Sequence, residues 1–159
     1  MILPILSYPD KRLRIVAENV KNVDNTIKKL VSDMFETMYD SNGIGLAATQ
    51  VNHHIRVIVI DISQDKSQPL CLINPEIIEK SGEISLEEGC LSVPDYKHFI
   101  NRNDHIKIQA LNEKGKTFKI EANDLLSVCI QHEMDHLNGI LFVDYLSRIK
   151  QQRLLKKIS

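Results

Sequence analysis

The stretch QHEMDHLNGILF, Gln131 to Phe142, organises the reading of the whole chain. It holds H-E-x-x-H followed by x-x-G-x-x, a frame in which a third histidine completes a metal site, yet Phe142 stands where that histidine belongs. Asn123 or Asp124 is placed to cap a helix that runs to about Asn138 and stops at Gly139. On such a helix His132 and His136 project from one face and can share one ion. Glu133 lies to one side of them and Asp135 at a similar angle on the other, so spacing alone does not choose between the acids. The H-E-x-x-H pattern favours Glu133 as the base that reaches a water at the ion.

Outward from that helix the chain reads as α+β. Asp24 to Asn42 carries apolar residues at helical spacing and closes at Asn42-Gly43. RVIVIDI (Arg56 to Ile62) and LCLI (Leu70 to Ile73) read as strands, with Asn74-Pro75 ending the second. His105 to Ala122 reads as a hairpin turning at Asn112 to Lys116, and a further helical stretch starts near Val143. The expectation is a single compact domain over residues 1–159. In it, short antiparallel strands and a hairpin surround a central metal-binding helix, and a C-terminal helix follows.

Composition excludes several classes. With 159 residues, 43% hydrophobic and 26% charged, the chain can bury a real core. A net charge of −1 gives no global field for nucleic acid or a membrane surface, so sequence-specific nucleic-acid binding is not expected. MILPILSYPDKRLR lacks the basic-then-apolar order of a signal peptide, and no run is long enough to span a bilayer. Three cysteines, an odd number, argue against a disulfide framework. A reducing cytoplasm is the expected compartment.

The third ligand must come from elsewhere. No glutamate follows Glu133, and Asp144 is a poor substitute. Cys129 shares the histidine face but sits seven residues before His136, about 10.5 Å along a helix axis, too far for a short side chain to join both histidines. It reads as pocket lining. Cys71, inside LCLI, reads as core. Cys90, in LEEGCLSVP between Gly89 and Pro94, sits in a tight glycine-started turn with little strand alternation, a setting that suits use over packing. His53, His54, His98 and His105 remain open but have no comparable setting.

GIGLAATQ (Gly43 to Gln50), EGCLSVP (Glu88 to Pro94) and QHEMDH (Gln131 to His136) together resemble the three signature motifs of the peptide deformylases, in matching order and spacing. The resemblance covers nearly the whole chain from YPDKRLR onward, with minor departures at Thr49 and Val93. It implies Cys90, His132 and His136 as ligands of one divalent ion, iron(II) first, with zinc, nickel or cobalt as alternatives. It implies removal of the formyl group from N-formylmethionyl nascent peptides, releasing formate. Glu133 then serves as general base and acid, and Gln50 and the Leu91 N–H stabilise the developing oxyanion. Leu125, Cys129 and the histidines share one helix stripe, and the resemblance places the methionine pocket there with Ile44, Leu86 and Val128. Gly45 and Gly89 offer backbone groups to an extended peptide.

GIGLAA also matches the dinucleotide fingerprint G-x-G-x-x-A, but it follows a helix instead of a strand, and too few residues precede Arg56 for a crossover helix. Arg148, Lys150, Arg153, Lys156 and Lys157 read first as a solvated helix face, with transient contact to the ribosome as the alternative. The rivals are a metallopeptidase using the same helix, which leaves Gln50 and Cys90 without roles, and a metal-stapled binding protein indifferent to Glu133.

Overall fold

A computed structural model describes residues 1–159. Helix α1 (Asn25–Asp40) is capped by Asp24, whose side chain accepts from the Ile27 N–H. The strands are β1 (Gly45–Ala47), β2 (Val57–Ile60), β3 (Leu70–Ser81), β4 (Ile84–Cys90), β5 (Val93–Arg102), β6 (His105–Leu111) and β7 (Thr117–Asn123). Helix α2 (Asp124–Leu137) follows directly, and helix α3 (Arg148–Ile158) ends the chain. An antiparallel five-stranded sheet has the order β1-β2-β3-β6-β7, while β4 and β5 form a separate hairpin.

Period-two alternation on β2 explains the layering. Ile58 and Ile60, with Leu72 of β3 and Ile106 and Ile108 of β6, pack against Ile130, Met134 and Leu137 of α2. Val57 and Val59 point the other way, joining Cys71 and Ile73 against Leu30, Met34 and Met38 of α1. The central sheet is therefore covered on both faces, and Cys71 is core as the sequence suggested. A third cluster, under the hairpin, gathers Val93 and Ile100 with Phe142, Val143 and Leu154.

The N-terminal arm laces the motif-bearing segments together. Leu6 N–H donates to the Gln50 carbonyl (2.8 Å), Tyr8 N–H to that of Ser92 (2.7 Å) and Ala17 N–H to that of Leu137 (2.8 Å).

Four local expectations change. β3 does not end at Asn74-Pro75: it bulges between Ile73 and Glu76 and continues to Ser81. Asn74, at φ 51°, makes this possible by bonding the Val20 N–H and carbonyl at 2.8 and 2.9 Å. LEEGCLSVP is strand and hairpin turn. Cys90 pairs with Val93 across Leu91 and Ser92, and Gly89 falls at a register shift before that turn. Asn123 occupies the N-cap of α2, but its side chain bonds His105 Nδ1 (2.7 Å) and caps no helical N–H. The last helix begins after a 3-10 turn at Phe142–Tyr145, where Ser147 caps α3.

Candidate metal centre

Helix α2 and the end of β4 bring a thiol and two imidazoles together. Cys90 Sγ lies 3.3 Å from His136 Nε2, and one donor atom each from Cys90, His132 and His136 falls within 4.8 Å of the others. Donors sharing a tetrahedral ion through bonds of about 2.0–2.3 Å stand roughly 3.5 Å apart, so these three residues fit a single cation. Phe142 is buried core: its ring lies 5.9 Å from that of His132 and 6.1 Å from that of Tyr96. The residue that breaks the protease frame thus packs beside the imidazole.

Charged groups orient His132 from behind. Glu88 Oε1 accepts from His132 Nδ1–H at 2.9 Å, which leaves Nε2 as the nitrogen free to coordinate. Arg102 donates to Glu88 through Nε (2.6 Å) and Nη2 (3.0 Å). Burial disfavours the Glu88 charge, but hydrogen bonds from His132 and Arg102 outweigh it and hold the carboxyl below its ordinary pKa. Burial likewise lowers the basicity of His132. The Glu133 charge and hydrogen bonds to Cys90 and Glu88 reverse this and raise its pKa well above the usual imidazole value. His136, 1% exposed, is driven well below that value by burial and by the charge on His132.

Glu133 is 5% exposed, and burial pushes its carboxyl up to about 7. Its Oε1 has no hydrogen-bond partner. A Cβ at residue 45 would collide with Glu133 Oε2 and stand 3.0 Å from Cδ, so Gly45 makes room for the carboxylate. Gly43 does the same for Leu91, whose Cδ1 would meet an added Cβ at 2.7 Å, while Asn42 takes the left-handed turn at the helix end (φ 56°). The glycines of GIGLAATQ therefore allow close approach. Gln50 is fixed at both ends: Oε1 accepts from Ala47 N–H (2.9 Å), and Nε2 donates to Ser92 Oγ (3.0 Å) beside Cys90 Sγ (3.6 Å).

These groups border a cleft of about 680 Å³. Gln50, Cys90, Leu91, His132 and Glu133 line its polar part, with His136 behind them. Leu86, Val128 and Cys129 form an apolar wall, Gly45 and Gly89 present backbone, and Ile44 and Leu125, each 41% exposed, stand at the mouth.

Residues 2–152 match the family model described as polypeptide deformylase. A peptide deformylase of Hamiltonella defensa is 61% identical over 157 residues, covering 99% of this chain and 92% of that protein. The crystal structure of a peptide deformylase from Legionella pneumophila superposes with a TM-score of 0.96 at 45% identity, covering 99% of this chain and 94% of that one. A peptide deformylase from Ehrlichia chaffeensis, solved in complex with actinonin, gives 0.95 at 43% identity, with 99% and 95% covered. The chain belongs to the polypeptide deformylase family. It is a metal-dependent hydrolase that removes the formyl group from the N-terminus of nascent peptides.

Within this deformylase the sequence reading missed Ser92, Arg102 and Tyr145, and it left Glu88 without a role. Glu88 and Ser92 lie inside EGCLSVP, so a buried acid next to a donor cysteine was the available signal. Arg102 and Tyr145 carry no local signal, because their partners come from other elements. Asp135, which shared the helix flank with Glu133, does not line the cleft: its Oδ2 accepts from Arg102 Nη1 (2.9 Å) and the Tyr145 hydroxyl (2.7 Å). No helix is long and apolar enough to cross a membrane.

Proposed function

We propose that Cys90 Sγ, His132 Nε2 and His136 Nε2 hold one divalent cation and that Glu133 is the general base and acid of deformylation. The observation that carries this is the convergence of those three donors beside a buried carboxylate with an unpartnered oxygen. A cation on this donor set supplies Lewis-acid polarisation of the formyl oxygen and makes water acidic enough to be deprotonated near neutral pH. Glu133 takes the proton of the attacking water and later delivers it to the departing amine. Gln50 Nε2 and the Leu91 N–H donate to the formyl oxygen as it gains charge; losing the Gln50 amide is expected to cost on the order of 2.7–4 kcal/mol of transition-state stabilisation. The apolar wall of Leu86, Val128 and Cys129, with Ile44 and Leu125 at the mouth, takes the methionine side chain. Backbone groups at Gly45 and Gly89 pair with the peptide as an added strand.

The thiolate makes the donor set softer and more electron-rich, which admits iron(II) alongside zinc; following the family resemblance, we take iron(II) as the metal, with zinc, nickel or cobalt as alternatives. A ferrous centre next to Cys90 is sensitive to oxidation. We place the enzyme in the cytoplasm, where formylated chains emerge, with residues 1–159 acting as one catalytic unit. The exposed basic side chains of α3 read first as a solvated face; transient contact with ribosomal RNA is the alternative, and ribosome co-sedimentation unaffected by deleting residues 148–159 defeats it. For the central reading, protein purified without oxygen and loaded with Fe(II) releases formate from formyl-Met peptides. Glu133→Ala lowers the rate by about 10²–10⁴-fold while retaining the metal. Full activity in that variant defeats the assignment.

A further inference from the structure

Asp135 sits between the two histidines of the motif, yet it neither borders the cleft nor belongs to the donor cluster. We propose that Asp135 and Tyr145 are positioning residues that set the metal affinity of the centre by acting through Arg102. The inference rests on the ligand assignment above.

A continuous series of bonds runs from the surface to the imidazole. The Tyr145 hydroxyl, on a residue 53% exposed, donates to Asp135 Oδ2 at 2.7 Å. The same oxygen accepts from Arg102 Nη1 at 2.9 Å, and the Tyr145 ring lies 5.4 Å from the guanidinium carbon. The remaining edge of the guanidinium is engaged by Glu88, whose Oε1 also accepts from His132 Nδ1.

Geometry assigns each contact a role. A guanidinium is a planar fork. With one edge on Glu88, one nitrogen on Asp135 and a phenol ring beside it, its plane and position are fixed. Glu88 lies two residues before Cys90 on β4, Arg102 ends β5, and Asp135 lies on α2 between His132 and His136. The cation thus fastens the strand bearing the thiol to the helix bearing the imidazoles, and the separation of sulfur and nitrogen donors depends on it.

Charge balance points the same way. Shared between two carboxylates, Arg102 leaves Glu88 enough negative charge to accept strongly from His132. If Asp135 were neutral, Glu88 would be the sole counter-ion of Arg102, and its hold on the His132 proton would weaken. Partners of this kind raise the basicity of the coordinating nitrogen, and their loss typically costs 10–100-fold in metal affinity.

The test titrates the chelated protein with Co(II) in competition with a chromophoric chelator and records the thiolate-to-cobalt absorption band. Asp135→Asn should weaken Co(II) binding about tenfold and shift the band. Tyr145→Phe, which keeps the ring and the Asp135–Arg102 pair, should weaken it about threefold. In both, KM for a formyl-Met peptide at saturating metal stays at the wild-type value. Leu30→Ala, in the α1 core, serves as a stability control and should keep wild-type affinity. Unchanged affinity in both network variants overturns the inference, as does an equal loss in Leu30→Ala, which would make the effect one of stability alone. Should Asp135→Asn not fold, Tyr145→Phe decides by itself. A wild-type protein that binds no Co(II) overturns the ligand assignment and this inference together, whereas normal wild-type binding with unchanged variants overturns this inference alone.

Discussion

Helix α2 and the β4–β5 hairpin meet at the same centre but are held in place by different forces. Ile130, Met134 and Leu137 seat α2 against a five-stranded sheet, so His132, Glu133 and His136 ride on an apolar foundation. The hairpin has no third strand, and two strands alone are marginal in water. Val93 and Ile100 anchor part of it, and the ions Glu88, Arg102 and Asp135 tie it to the helix. A regular, well-packed element thus presents the base and two proposed ligands, while a charge-tied element presents the third. Apolar packing resists changes of pH and salt; a buried ion cluster is sensitive to the loss of any one member.

The largest expected effect separates the two supports. Arg102→Leu leaves Glu88 and Asp135 without their cation and should cost about 3–5 kcal/mol in urea unfolding, together with loss of metal affinity. Ile130→Ala should cost about 2–5 kcal/mol through cavity formation but leave metal affinity near that of wild type in the folded protein. Equal metal loss in both variants would erase the distinction between helix and hairpin.

The second prediction concerns the meeting point of the glycine loop and α2. Gly45→Ala drives a methyl group into the Glu133 carboxylate. A displacement of about 1 Å at the base should lower kcat by roughly 10²-fold, with metal content unchanged. Wild-type kcat would mean that the carboxylate has slack which its packing does not suggest.

The smallest effect probes the outer end of the ion cluster. Burial, then the hydrogen bond to Asp135, push the Tyr145 hydroxyl up to about 12. Ionising it would set a phenolate beside a carboxylate. The stability linked to this raised pKa is present below about pH 10, the ordinary tyrosine value, and is lost as pH rises through the folded-state value. Asp135→Asn should therefore move the Tyr145 titration down toward about 10, read as tyrosinate absorbance after subtraction of the Tyr145→Phe curve. No movement would show that burial alone sets it.

The same contrast explains what could be read from the sequence. Helix α1 announces itself by apolar residues at the helical period, strand β2 by a short β-branched apolar run, and helix α2 by its cap position, its glycine stop and the spacing of its histidines. The hairpin hides because Glu88, a buried charge, stands where strand alternation calls for an apolar side chain. β3 runs on past Pro75 because Asn74 bonds Val20, a partner 54 residues away that no local window contains. Gly43 and Gly45 look like loop glycines until Leu91 and Glu133 are seen pressed against them. Cys90 stood out by its setting and by the family pattern around it. Arg102 and Tyr145 did not, because an ion cluster assembled from β4, β5, α2 and the 3-10 turn after it leaves no pattern in one dimension.

The most direct measurement is X-ray absorption on protein loaded with one equivalent of Zn(II) or Co(II). The expected first shell holds one sulfur at about 2.3 Å and two imidazole nitrogens at about 2.0–2.1 Å, with the sulfur lost in Cys90→Ala. A shell without sulfur, or one that Cys90→Ala leaves unchanged, would contradict the claim that the hairpin completes the centre begun by the helix.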